Sequence, residues 1–115
     1  MSWIRLENSM HSWSNERLRE RLVKLFGQQG PAYTFNHLYA AVKPSSAAQL
    51  AIVLTELVRS GLLRQFVRVE SPTTHSGIKD FPSISEVPSE IHDEFSDTWF
   101  DVQPENLKVM YSRHE

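Results

Sequence analysis

The chain contains no cysteine, which excludes disulfides, thiolate metal sites and a cysteine nucleophile, and suits a reducing compartment. No stretch approaches the roughly 20 apolar residues that a membrane helix needs. The first residues, MSWIRLENSMHSW, hold no apolar run of signal-peptide length. The expectation is a soluble, cytoplasmic protein without a membrane attachment. G-x-S-x-G, a Walker-type glycine loop and a dinucleotide fingerprint are all missing, so the chain lacks the backbone cradles that usually mark phosphate and cofactor chemistry. Five histidines are spread at 11, 37, 75, 92 and 114. None has the H-x-x-x-H spacing that puts two imidazoles on one helix face, and no zinc site is expected. The acidic stretch SEIHDEFSDTWFD lacks EF-hand spacing and the glycine that such a loop requires. It reads as a solvated acidic loop, or as a surface that repels an anion or pairs with a basic partner. No catalytic, metal-ligating or cofactor-binding residue is identified, and binding rather than catalysis is expected.

What is present describes a small globular protein. A length of 115 residues fits one domain with one modest core. Hydrophobic residues make up 40% and charged residues 23%, values that separate it from disordered chains. The net charge of −2 conceals a split. Residues 1–70 hold nine Lys/Arg against five Asp/Glu, net +4, and residues 71–115 hold three against nine, net −6. The first part suits an anion, and the second would repel phosphate placed near it.

Periodicity divides the chain into an N-terminal arm at 1–13, a helical and hairpin region at 14–81, and an acidic extension at 82–115 packed on the same domain. In the arm, Trp3 and Trp13 are expected to pack back onto the domain or onto a partner. Ser14 is a suitable N-cap, and Leu18, Leu22, Leu25 and Phe26 then recur on one helical face. Gly30 and Pro31 stop that helix. Thr34 caps a short second helix with Phe35, Leu38 and Val42 as its stripe. Pro44 ends it, and restricts Lys43 to extended backbone. Ser46 and Gln49 form an S-x-x-Q capping box for the third helix. Leu50, Val53, Leu54, Leu57 and Val58 make its buried face, and Gly61 caps its end.

Period two follows. Leu63, Gln65, Val67 and Val69 alternate with Arg64, Phe66, Arg68 and Glu70. SPTTHSG is turn-rich, and IKDF returns as a second strand. Residues 82–97, with two prolines among serines and carboxylates, are expected to be irregular. TWFDV and LKVMY read as late strands, with Leu107, Val109 and Tyr111 sharing a face. Trp99 and Tyr111 are expected to anchor this section to the core, or to serve as interface anchors if exposed.

The segments LRERLVKLF, YTFNHLYAAV and SSAAQLAIVLTELVRSGLLRQFVRV, with a glycine before an apolar pair, resemble the winged helix-turn-helix superfamily over about residues 14–81. The resemblance implies an α+β fold: three helices plus a β-hairpin wing, here with a C-terminal β extension. In DNA-binding members of that superfamily the third helix enters the major groove, where its outward face carries polar and basic groups for base edges and phosphates.

The helix at 45–60 can be tested against that requirement at 100° per residue. With its apolar stripe turned inward, its outward residues are Ala48, Gln49, Ile52, Thr55, Glu56 and Arg59. Ile52 is apolar in the middle of the face and Glu56 is acidic. Two readings follow. In the leading one, Ala48, Ile52, Thr55, Glu56 and Arg59 form a docking face for a partner protein or a second copy, because an apolar centre with a polar surround fits a protein interface. In the alternative, Ser45, Ser46 and Gln49 enter the major groove of double-stranded DNA, and Arg64 and Arg68 on the 63–81 wing hold phosphates, as in a transcription regulator.

Overall fold

The computed structural model of the protein describes residues 14–27 and 31–114. The N-terminal arm, with Trp3 and Trp13, and the helix stop at Gly30 lie outside the described residues. Among those residues the fold is α+β, with three α-helices, a four-stranded antiparallel sheet and a two-stranded sheet. No helix in them is long and apolar enough to cross a membrane.

The chain divides into two compact units, one running to residue 64 and resuming at 112, the other spanning Gln65–Tyr111. The first holds the helices. Helix α1 (Asn15–Gly27) starts where the Ser14 hydroxyl accepts the Arg17 amide at 3.1 Å, satisfying one of the free donors of the first turn. It buries Leu18, Leu22 and Phe26, four residues apart and therefore on one side. Strand β1 (Tyr33–Thr34) follows; two residues are too few to register as an alternating pattern. In helix α2 (Phe35–Val42), Thr34 caps through the His37 amide at 3.1 Å, and Leu38 and Val42 are buried. Lys43 departs from the extended backbone expected before proline. It takes the left-handed conformation, φ 49°, and its amide donates to the Tyr39 carbonyl at 3.0 Å. Supplying a donor to the last turn outweighs the pre-proline preference.

Helix α3 (Ala47–Arg59) buries Leu50, Val53, Leu54 and Leu57 and packs against α1. Full burial of each such leucine contributes about 1.5–3 kcal/mol. The helix ends in a Schellman motif: Leu62 N–H donates to the Leu57 carbonyl and Gly61 N–H to the Val58 carbonyl, both at 3.1 Å. The motif places Ser60 at the C-cap and the expected stop, Gly61, one residue beyond at φ 84°, a conformation that favours glycine.

The four-stranded sheet has the order β1-β6-β2-β3. Strand β2 (Leu63–Glu70) turns through residues 71–76 into β3 (Gly77–Phe81), so IKDF does return as a strand. The two pair antiparallel with Val67 opposite Phe81, Arg68 opposite Asp80 and Val69 opposite Lys79, before a bulge at Val69/Glu70. Burial corrects the simple alternation along β2: Phe66 is buried, although it shares a face with Arg68, and Gln65 is exposed. Residues 82–97 are less irregular than expected. A 3₁₀ turn (Ile84–Glu86) leads to β4 (Glu90–Asp93), which pairs antiparallel with β5 (Thr98–Asp101). A second 3₁₀ turn (Pro104–Asn106) leads to β6 (Leu107–Arg113). Tyr111 is buried as expected, but Val109 is exposed and Met110 is buried instead. Strand β6 lies between β1 and β2 in the sheet, and its adjacent buried residues point to opposite faces.

A buried polar cluster organises the second unit. Ser71 and Asp93 are both fully buried, and the Ser71 hydroxyl donates to the Asp93 carboxylate at 2.6 Å. The same hydroxyl accepts the Thr73 and Thr74 amides at 3.2 Å, and Asp93 also accepts the Phe95 amide at 2.9 Å. One bond thus ties the β2–β3 turn to the β4–β5 hairpin. The Ser71 hydrogen bond leads the causes that hold the Asp93 carboxyl below its ordinary pKa, against the opposing effect of desolvation. A depressed folded pKa means that the stabilisation is complete above the unfolded value of about 3.9 and is lost as pH falls through it towards the folded value. Asp93→Asn and Ser71→Ala are both expected to lower Tm at pH 7. Asp93→Asn should also remove part of the acid-induced loss, read as melting curves by circular dichroism between neutral and acidic pH. An unchanged acid profile in Asp93→Asn would show that Asp93 does not contribute to it.

Candidate interaction surface

The outward side of α3 follows from the burial of its inward side. Ala48, Ala51, Ile52, Thr55 and Arg59 are exposed, and a groove of about 330 Å³ is lined by Ala51, Ile52, Thr55, Glu56 and Arg59. Ile52 is 51% exposed at its centre. Two polar neighbours offer less polarity than their names suggest. Thr55 Oγ1 donates to the Ala51 carbonyl at 2.8 Å, which engages its hydroxyl with the helix backbone. Glu56 forms an ion pair with Arg19 of α1. The middle of the face is therefore apolar, with Arg59 at its end.

The polar residues at the start of α3 are engaged in building the helix. The Ser46 hydroxyl accepts the Gln49 amide at 3.1 Å. Gln49 Oε1 accepts the Ser45 amide at 2.8 Å, and Gln49 Nε2 donates to Asn15 Oδ1 at 3.3 Å. The S-x-x-Q signature thus operates as a cap, although the glutamine reaches Ser45 rather than the cap residue itself. Ser45, Ser46, Gln49 and Arg64 belong to the helical unit, and Arg68 belongs to the other.

Arg68 is held within its hairpin. Its Nε and Nη2 donate to the two Asp80 oxygens at 2.8 and 3.2 Å, a fork-shaped arrangement that suits guanidinium and carboxylate. Its Cζ lies 5.5 Å from the centroid of the Phe66 ring. The Asp80 hydrogen bond leads the causes that raise the Arg68 pKa. Gly77 contributes by lacking a side chain: a Cβ there would stand 2.8 Å from Arg68 Cδ. Asp80 went unnoticed in the sequence because its meaning depends on the cross-strand register that sets it opposite Arg68. A second groove in the helical unit, of about 610 Å³, is lined by Arg17, Glu20, Arg21 and Lys24 above Leu25, Ala41 and Val42.

The acidic stretch forms a hairpin rather than a loose loop. Among the described residues no group of three or more His, Asp or Glu is arranged to hold a metal ion. Trp99 does not anchor the core; it is 65% exposed, because the β4–β5 register places it on the outward face opposite His92. Ser46→Ala is expected to lower the free energy of unfolding by about 1 kcal/mol, the usual cost of an N-cap, measured by urea titration. A change near zero would remove Ser46 from its structural role. Comparison with protein-family models, with curated proteins and with solved structures found no match for this chain.

Proposed function

We propose that this protein is a non-catalytic interaction module of the winged helix-turn-helix type, an adaptor or accessory subunit that docks a partner protein through the outward face of α3. The observation that carries this reading is Ile52, half exposed at the centre of a groove whose threonine hydroxyl and glutamate charge are engaged within the protein. An apolar centre with polar surroundings is the pattern of a protein interface. Fold type alone does not decide partner class, so the reading rests on this surface.

The test is Ile52→Asp. An exposed substitution is expected to change stability by no more than about 0.5 kcal/mol, while placing a charge where an interface would desolvate it. Wild-type protein immobilised in nuclease-treated lysate should retain a protein, or self-associate in sedimentation, in a manner that Ile52→Asp abolishes at unchanged Tm. A wild-type protein that stays monomeric and retains nothing, or retains the same set as Ile52→Asp, overturns the proposal.

A second reading is double-stranded DNA binding, with Ser45, Ser46 and Gln49 in the major groove and Arg64 and Arg68 on phosphates. It is supported by the order of helices and hairpin and by the groove with Arg17, Arg21 and Lys24. The engagement of Gln49 and Arg68 counts against it, since each would have to exchange an existing partner for DNA. This reading expects anisotropy of a labelled duplex to rise at low salt and fall steeply as salt increases. No binding to mixed-sequence duplexes at low salt would remove general DNA affinity.

A further inference from the structure

The groove of about 610 Å³ on the helical unit has a floor and a rim of different chemistry. Its floor is apolar, with Leu25 half-buried and Val42 buried. Its rim carries Arg17, Arg21 and Lys24, all exposed. Their spacing of i, i+4 and i+7 sets them on one side of α1, over about 10 Å of helix. Like charges four residues apart weaken a helix, and an anionic occupant turns that cost into attraction. Lys24 has no ion pair among the described residues. The groove also holds one carboxylate, Glu20, so its occupant must bring a hydrogen-bond donor as well as negative charge.

We propose that this groove receives the β4–β5 hairpin of a second copy of the chain, with Trp99 entering over the apolar floor and the hairpin carboxylates meeting Arg17, Arg21 and Lys24. The hairpin matches the groove in three respects. Its outward face carries Trp99, 65% exposed, with Glu90 and Asp101 opposite one another at the open end and Glu94 at the turn. At about 3.4 Å per residue, the carboxylates at the two ends stand roughly 10–14 Å apart with Trp99 between them, close to the length of the cation row. The groove volume lies within the roughly 300–1,000 Å³ of sites that enclose a bulky group. An indole needs an acceptor for its N–H when it is buried, and Glu20 supplies one while the cations lie near the ring face.

Charge decides the form of the contact. Groove against groove and hairpin against hairpin each set like charges together, so two copies meet groove to hairpin, a heterologous arrangement that closes into a ring or extends as a chain. The hairpin is held for insertion. Asp93 is locked to Ser71 and to the Phe95 amide, and Val102 N–H donates to the Ser89 carbonyl at 2.9 Å, closing the open end. A single hairpin in a groove is a small interface, at the weak and salt-sensitive end of specific contacts. It uses neither Ile52 nor the outward face of α3.

The test is sedimentation of the full chain carrying Ile52→Asp, so that association through α3 does not contribute. At low salt and up to about 0.5 mM protein this chain should associate, and about 0.5 M salt should return it to monomer. A groove variant, Arg21→Glu with Lys24→Glu, and a hairpin variant, Trp99→Ser, should each stay monomeric with the circular dichroism of the parent. Lys24→Glu alone should weaken association about tenfold, which keeps the groove testable if the double variant misfolds. Mixed in equal amounts, the two variants should form a 1:1 dimer and nothing larger, because each retains one intact half of a single contact. The proposal is overturned if the Ile52→Asp chain stays monomeric at low salt. It is also overturned if either variant associates like its parent, or if the mixture forms no dimer. Acidic peptide binding to the groove of a chain that does not self-associate would assign the site to a foreign partner and overturn it too. Association that survives Ile52→Asp belongs to this contact and association lost with it belongs to α3, so either proposal can fail without the other.

Discussion

Withdrawal of Leu50, Val53, Leu54 and Leu57 from water along one side of α3 constrains what the rest of the helix can do. The stripe must face the core formed with Leu18, Leu22 and Phe26 of α1, and a rotation of one residue, about 100°, would exchange core for solvent. With that rotation set, Ala48, Ile52 and Thr55 face outward. The capping groups at one end and the Schellman turn at the other then define how much helix there is. The exposed Ile52 is the residue left showing once a well-buried helix has used its other apolar positions.

Polar groups in this protein act mainly through the partners they already have. Arg19 and Glu56 neutralise each other across two helices, Arg68 and Asp80 across two strands. Such exposed or half-exposed pairs add little stability, typically below 1 kcal/mol. They change the surface more than the energy. The formal charge of +4 over residues 1–70 overstates the cationic character displayed, and a glutamate in the middle of α3 does not make that face acidic. Gln49 similarly offers a polar amide to α3's outer side in sequence terms, yet bonds to Ser45 and Asn15.

The second unit uses the opposite device, a buried charge. Asp93 is worth burying only because Ser71 and the Phe95 amide satisfy it, since an unpaired carboxylate would be costly there. That requirement pins the β4–β5 hairpin by its inner face. The outer face then carries His92, Trp99, Glu90 and Asp101 together, a combination of aromatic and like-charged groups that packing alone would not select.

The helices, their caps and the β2–β3 hairpin were legible in the sequence because each depends on residues within a few positions of one another. Ser14, Thr34 and Ser46 bond to amides three residues on, and Gly61 takes the positive φ that ends a helix. Strand β4 was hidden because a run rich in serine and carboxylates carries little β signal, and only pairing with β5 makes it a strand. The burial of Phe66 and Met110, the exposure of Trp99, and the engagement of Arg68 by Asp80 were decided by tertiary structure. Each depends on which distant strand lies opposite and on which face is covered. Local bonding therefore determined where elements begin and end. Cross-strand register and helix rotation, set by burial across the whole chain, determined which side chains remain to meet a partner.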